Sequence, residues 1–280
     1  NPPSLSSVNC PLSSKFCVAK FLKGVIILMI VLNGELIDGQ KVFLDQGFYF
    51  GRGLFETILV KNKPVFLKEH LNRINNDLKV IGINRYIEED DVIDAIDKLK
   101  STDRILKLVA TEKNVIFTDR KNSYSKEQYE KGFSVKISSI RRNKYSTMTY
   151  LKSLNYLENI LEHDKCIDEG YNEVLFLNTE DNLAEGSISN VYFIKNDKIY
   201  TPSIDCGLLN GTVRKFIINN FEVVEGKFQK EDLITSDGIF LTNSVMGIMK
   251  VSTLCNKEFQ DNIIIENLRQ YYENYIKEKY

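Results

Sequence analysis

The sequence predicts a mixed α/β (α+β) protein, and three observations carry that prediction. Residues 54–60 and 173–177 are short runs of apolar and β-branched side chains, the kind that pair into sheets. Leu67, Leu71, Ile74, Leu78 and Ile81 instead recur at steps of four and three, which puts them on one face of an α-helix. Runs of the two kinds alternate along the chain, with turn-forming residues between them.

The elements follow in order. Ile30-Val31-Leu32, Asn33-Gly34 and Glu35-Leu36-Ile37 read as a hairpin. Gly51-Arg52-Gly53 introduces the strand at 54–60, and Lys61-Asn62-Lys63-Pro64 turns the chain. The next helix leaves His70, Arg73 and Asp77 off its apolar stripe. A second, acidic helix covers 88–100. Residues 105–110 and 114–118 pair as strands, 121–131 form a polar loop or exposed helix, and 133–140 alternate as a strand. Residues 141–149 have no period and mark an interdomain linker. Leu151, Leu154, Leu157, Ile160, Leu161 and Ile167 then mark a helix that Gly170 stops. Strands at 173–177 and 183–194 flank a turn. Another turn leads into Ile199-Tyr200, Asn210-Gly211-Thr212 opens a helix to about Asn220, 238–241 form a strand, and 258–279 close with a strand and a helix.

With 280 residues, the chain is long enough for two domains. The expected division is an extension at 1–28, a small N-terminal α/β domain at 29–140, a linker at 141–150 and a larger C-terminal domain at 151–280. The apolar run at 21–32 is shorter than the ~20 residues a bilayer requires. No small-residue cleavage pattern follows it. Met29 therefore reads as the natural start, and residues 1–28 as an extension without a catalytic role.

Composition narrows the chemistry. A net charge of −1 gives no general pull toward nucleic acid or a membrane surface. The five cysteines are odd in number, widely spaced and free of CxxC pairs, which argues against a disulfide framework or a zinc site and fits a reducing cytoplasm. Two histidines, His70 and His163, are too few for a histidine-rich metal centre.

Three segments pair unusual composition with a local structural demand. In Tyr150-Leu151-Lys152-Ser153-Leu154, a lysine lies among apolar neighbours. On its own it reads first as an exposed lysine. Held in an apolar setting it would have a lowered pKa, suited to a Schiff base or a general base. In Ala184-Glu185-Gly186-Ser187-Ile188-Ser189, one acid sits in an otherwise uncharged strand. It is either a solvated edge residue or a carboxylate that needs a cation in space. In Gly207-Leu208-Leu209-Asn210-Gly211-Thr212-Val213, two glycines bracket a helix start: a plain turn, or a phosphate cradle of free N–H groups.

Taken with Gly51-Arg52-Gly53-Leu54-Phe55-Glu56-Thr57, Glu69-His70-Leu71-Asn72-Arg73 and Leu241-Thr242-Asn243-Ser244, these segments in this order resemble the class IV aminotransferase family, which depends on pyridoxal 5′-phosphate (PLP). The likeness runs from about Met29 to the C-terminus. It implies a two-domain fold of the D-amino-acid aminotransferase type, PLP in the cleft between domains, a small-molecule substrate and a homodimer. It also implies that Lys152 carries the cofactor and acts as base, that Glu185 meets the pyridine nitrogen, and that Arg73, the N–H groups of Thr212 and Val213, and Ser244 bind the phosphate. Within the family, residues 152–161, Arg142-Asn143 and residues 241–249 are most similar to the aminodeoxychorismate lyase branch, with branched-chain and D-amino-acid aminotransferases as the alternative. Arg52 stands where the family often has Asp, and Lys250 where Pro is common; Arg52 is expected to be a solvent residue.

Overall fold

A computed structural model describes residues 19–22, 25–38 and 42–280. The chain forms β1 (Ala19–Leu22), β2 (Val25–Leu28), β3 (Ile30–Leu32), β4 (Glu35–Ile37), α1 (Gln46–Phe50), β5 (Gly53–Val60), α2 (Leu67–Val80), α3 (Glu89–Leu99), β6 (Arg104–Thr111) and β7 (Val115–Lys121). Then come α4 (Lys126–Lys131), β8 (Phe133–Arg142), α5 (Leu157–Asp168), β9 (Glu173–Asn178), β10 (Leu183–Gly186), β11 (Asn190–Lys195), β12 (Lys198–Pro202) and α6 (Thr212–Asn220). The chain ends with β13 (Val223–Gly226), α7 (Lys230–Ile234), β14 (Gly238–Asn243), β15 (Gly247–Leu254), β16 (Lys257–Glu258) and α8 (Ile263–Lys279).

Two sheets organise the mixed α/β fold. A five-stranded sheet has the order β4-β3-β7-β6-β5 with every neighbour antiparallel. A larger sheet runs β10-β9-β8-β15-β14-β11-β12-β13, with β16 added beside β15. Its central strands read as continuous apolar runs because both faces are covered; Val191, Tyr192, Phe193, Ile194, Ile239, Phe240 and Leu241 are all buried. Helices α2 and α3 cover the smaller sheet. The predicted stripe of α2 is its core face: Ile74 and Leu78 are fully buried, each worth about 1.5–3 kcal/mol of apolar burial. Helix α2 is launched from Phe66, whose left-handed φ of 53° is held by packing against Phe216, Tyr272, Tyr275 and Tyr280. Among the described residues no helix is long and apolar enough to cross a membrane.

The structure departs from the sequence reading in several places. The segment from Leu151 does not begin a helix. Leu54 and Ser153 form an isolated antiparallel bridge, Phe55 N–H donates to Lys152 O at 2.9 Å and Leu154 N–H to Gly53 O at 2.9 Å. Pairing with β5 thus holds Leu151 to Leu154 extended, and α5 starts only at Leu157. The apolar period of α5 faces outward, with Leu157 and Leu161 exposed and Asn159 and Cys166 buried. Residues 183–194 split into β10 and β11 around a bend at Ser187–Ser189. The chain changes sheets between β7 and β8: β8 extends to Arg142 and pairs in parallel with β9 and β15, so 141 and 142 belong to a strand of the larger sheet. Strand β15, unforeseen in the sequence, joins β8 to β14. Most of residues 1–28, the expected extension, lies outside the described residues.

Candidate active site

Between the two sheets a cavity is lined by Arg73, Lys152, Glu185, Thr212, Val213 and Ser244 together. Residues far apart in sequence, chosen there as candidates, thus face one space. Asn190, Leu209, Gly211, Thr242 and Tyr156 complete its wall. A second cavity continues past Lys152, Tyr156, Asn243 and Ser244 toward Thr57, Lys107, Arg120 and Tyr124.

Lys152 lies on the extended segment bound to β5. Its amine makes no hydrogen bond among the described residues; it sits 4.5 Å from the ring centroid of Phe55 and 5.5 Å from that of Tyr156. Burial, reinforced by the Arg73 charge, lowers its pKa from 10.5 to about 8. The amine is therefore much closer to its neutral, nucleophilic form at physiological pH than an ordinary lysine. Tyr156 is pinned by its hydroxyl, which donates to Ser187 O at 2.8 Å.

Glu185 enters from β10 of the larger sheet. Burial raises its pKa, against the opposing pull of Arg142. Oε1 lies 3.2 Å from Arg142 Nη2, and Oε2 accepts the Leu209 N–H at 2.9 Å.

Another part of the cavity wall is built at the start of α6. Arg73 reaches it from α2, the off-stripe face noted in the sequence. Its Nε and Nη2 donate to Glu56, and Nη1 donates to Asn210 O at 3.2 Å, just before α6. The α6 N-cap is Gly211, which offers no side-chain acceptor to the N–H groups of the first turn. A Cβ at Gly211 would come within 2.3 Å of Asn190 Oδ1, so only glycine fits this approach. The Thr212 and Thr242 hydroxyls are buried without partners. Ser244 differs from the expectation in one respect: its hydroxyl donates to Thr57 O at 2.6 Å, a bond that joins the two sheets.

Arg52 is not a free solvent residue. It donates to Ile81 O at 2.9 Å, Gln46 Oε1 at 2.7 Å and Gly82 O at 2.9 Å, tying the start of β5 to the end of α2. Lys250 pairs with Asp261 on the larger sheet and lines neither cavity of the site. The sequence reading quoted Glu56, His70 and Arg142 only as residues of the family motifs and gave none of them a role; Glu56 and His70 are buried together, with Nδ1 2.6 Å from Oε2. A polar residue alternating into an apolar strand, as Glu56 does in β5, was the available signal.

The cavity thus gathers N–H and hydroxyl donors without partners at the start of α6, the unbonded Lys152 amine and the Glu185 carboxylate, a combination suited to a small anionic group. The amino-transferase class IV family matches residues 53–254, and the chain belongs to that family. Its members use PLP, and the cavity holds the kinds of groups such a cofactor needs: a helix N-terminus, buried unpartnered hydroxyls, an unbonded amine and a carboxylate. The chain is 31% identical over 248 residues to the aminodeoxychorismate lyase of Bacillus subtilis strain 168, covering 79% of this chain and 85% of that protein. It is 26% identical over 281 residues to a D-alanine aminotransferase of Staphylococcus epidermidis, covering 89% and 98%. A Legionella pneumophila structure provisionally described as a 4-amino-4-deoxychorismate lyase superposes with TM-score 0.77 at 28% identity, over 85% of this chain and 97% of that one. The branched-chain aminotransferase of Thermoproteus uzoniensis shares the fold, with TM-score 0.82 at 20% identity over 90% and 96%.

Proposed function

We propose that this enzyme converts 4-amino-4-deoxychorismate to p-aminobenzoate and pyruvate. The observation that carries the reading is the wall beyond Lys152. Lys107 and Arg120 line it together with Phe55, Tyr124 and Tyr156, which suits an unsaturated ring with one carboxylate on the ring and a second on its enolpyruvyl ether. Lys107 is itself drawn toward the ring side, 4.7 Å from the Phe55 centroid. The 31% identity to the Bacillus subtilis lyase supports the same assignment.

Bound PLP supplies an electron sink for the bond changes at the substrate carbon that carries nitrogen. Arg73, Thr212, Val213 and Ser244 are assigned to the phosphate. Lys152 would hold the cofactor through its amine and would serve as general base toward the proton on the nitrogen-bearing ring carbon. Glu185 would pair with the cofactor's ring nitrogen and favour its protonated form. Phe55 and Tyr156 keep water from the amine. The carbon–oxygen bond to the enolpyruvyl group breaks, and the departing enolpyruvate takes up a proton to become pyruvate. The overall change is an isomeric splitting that consumes no water and gains an aromatic ring.

Transamination of branched-chain or D-amino acids is the second reading, favoured by the 26% identity to D-alanine aminotransferase. Pyruvate release from 4-amino-4-deoxychorismate, measured against keto-acid-dependent transamination, decides between them. Release of pyruvate without any keto acid supports the lyase; turnover only with a keto acid overturns it. A cytoplasmic homodimer completes the proposal. Phe48, Tyr49 and Phe50 of α1, exposed at 67%, 60% and 75%, form an apolar surface suited to a second copy.

A further inference from the structure

Glu185 is the one acid assigned to a ring nitrogen, yet its surroundings work against its charge. It is buried on β10, and a carboxylate removed from water favours its neutral form unless something compensates. A neutral Glu185 could not balance a protonated ring nitrogen. The compensation comes from a side chain with no place in the mechanism above. Arg142 ends β8 and is itself buried. Nη2 lies 3.2 Å from Glu185 Oε1. Nη1 donates to Asn159 Oδ1 at 3.0 Å and to Glu158 Oε1 at 3.3 Å. The guanidinium carbon sits 4.3 Å from the centroid of Phe176, so the plane is held on a ring face as well as at its edge.

We propose that Arg142 is a positioning residue for Glu185: locked from behind by Asn159, Glu158 and Phe176, it keeps that carboxylate ionised and fixed at the cavity wall. A guanidinium does not lose its proton in a protein, so Arg142 keeps its own charge at every pH at which the enzyme is folded. The rest of the surroundings is mixed. Lys152 favours the charge across the cavity, and Glu173, on neighbouring β9, opposes it. Tyr156, between them, stays neutral because burial raises its pKa. Glu158 has a further consequence. Arg142 carries one positive charge and is shared by two acids, so it does not by itself neutralise Glu185. A protonated pyridine nitrogen is the group that would neutralise it. That last step rests on the PLP reading; the hold of Arg142 on Glu185 does not.

The test follows the carboxyl of Glu185 directly. Infrared spectra of the full-length, cofactor-free chain with isotope-labelled glutamate are recorded across pH, with Glu185→Gln assigning the band. Arg142→Gln is expected to raise the proton affinity of Glu185 about tenfold or more, and Arg142→Lys to restore most of the difference. Glu158→Gln, at a half-exposed position that tolerates change, is expected to lower it. Titration unchanged by both Arg142→Gln and Glu158→Gln overturns the proposal. If Arg142→Gln fails to fold, an unchanged titration in Glu158→Gln is sufficient to do so. Borohydride trapping of PLP on Lys152 in the wild type is scored separately. Its failure removes the ring nitrogen from the account, and the titration still decides the role of Arg142.

Discussion

Arg73 and Glu56 meet in a two-point contact, Nε to Oε1 at 2.7 Å and Nη2 to Oε2 at 2.6 Å, with both side chains almost fully buried. The acid on β5 thus aims the arginine on α2 toward the start of α6. Burial alone would raise the pKa of Glu56, but Arg73 and His70 outweigh it and hold the carboxyl below its usual range. A depressed folded pKa contributes stability above the unfolded value, and that stability is lost as pH falls through the folded one. Glu56→Gln is expected to destabilise the protein by about 3–5 kcal/mol at neutral pH, because a buried guanidinium loses its counter-charge. Denaturant unfolding as a function of pH checks this. The variant should lose less stability than the wild type on acidification, and an equal loss in both would refute the assignment.

Lys152 offers the opposite sign. The fall in its pKa from 10.5 to about 8 is a cost borne by the folded chain at neutral pH, where the unfolded lysine binds its proton more tightly. That stability returns as pH rises from about 8 toward 10.5. Lys152→Met should therefore stabilise the cofactor-free protein at pH 7, by up to about 3 kcal/mol. It should also abolish borohydride trapping of PLP. In the wild type, the rate of cofactor capture should rise with pH and level off above about 8. A rate still climbing steeply near pH 10 would contradict the buried-amine environment.

Thr212 and Thr242 carry buried hydroxyls with no partner in the structure. Thr212→Val and Thr242→Val remove an unsatisfied polar atom, so each is expected to leave the cofactor-free protein as stable or more stable by about 1 kcal/mol. If these hydroxyls serve the phosphate, the same changes should weaken PLP binding by about tenfold. Thermal unfolding with and without PLP separates the effects. Loss of stability in the cofactor-free protein would show the hydroxyls to be structural.

The exposed rings of α1 bear on assembly. Phe50→Glu places a charge on the apolar surface formed with Phe48 and Tyr49, away from the described cavities. Sedimentation of the wild type should show a species of twice the chain mass, and the variant should shift toward the 32.3 kDa monomer. A monomeric wild type would remove the second copy from the account.

What could be read in the sequence was what depends on neighbours along the chain. Helix α2 was legible because its core face obeys a helical period, and the same period showed that Arg73 lay off that face. The start of α6 was legible because a glycine before a helix leaves free N–H groups. The segment around Lys152 misled because Leu151, Leu154 and Leu157 carry helical spacing, while the hydrogen bonds to Gly53 and Phe55 that keep it extended come from a strand about a hundred residues earlier. Local preference lost to tertiary pairing. Arg142 was placed in a linker because no pattern within ten residues shows that Glu185 waits beside it.

The amine and the acid ride on different frames. Lys152 is stitched to the edge of the five-stranded sheet by the Leu54–Ser153 bridge, and Glu185 is part of the nine-stranded one. Few bonds cross that seam at the site; Ser244 to Thr57 and Arg73 to Asn210 are two of them. Both bonds end on backbone carbonyl oxygens, so the side chains that hold the two frames in register here are Ser244 and Arg73, which also line the cavity. The gap between base and carboxylate is therefore set by how the two sheets pack, and Leu59, Val65 and Phe66 bury against Tyr192, Phe216 and Tyr272 across that junction.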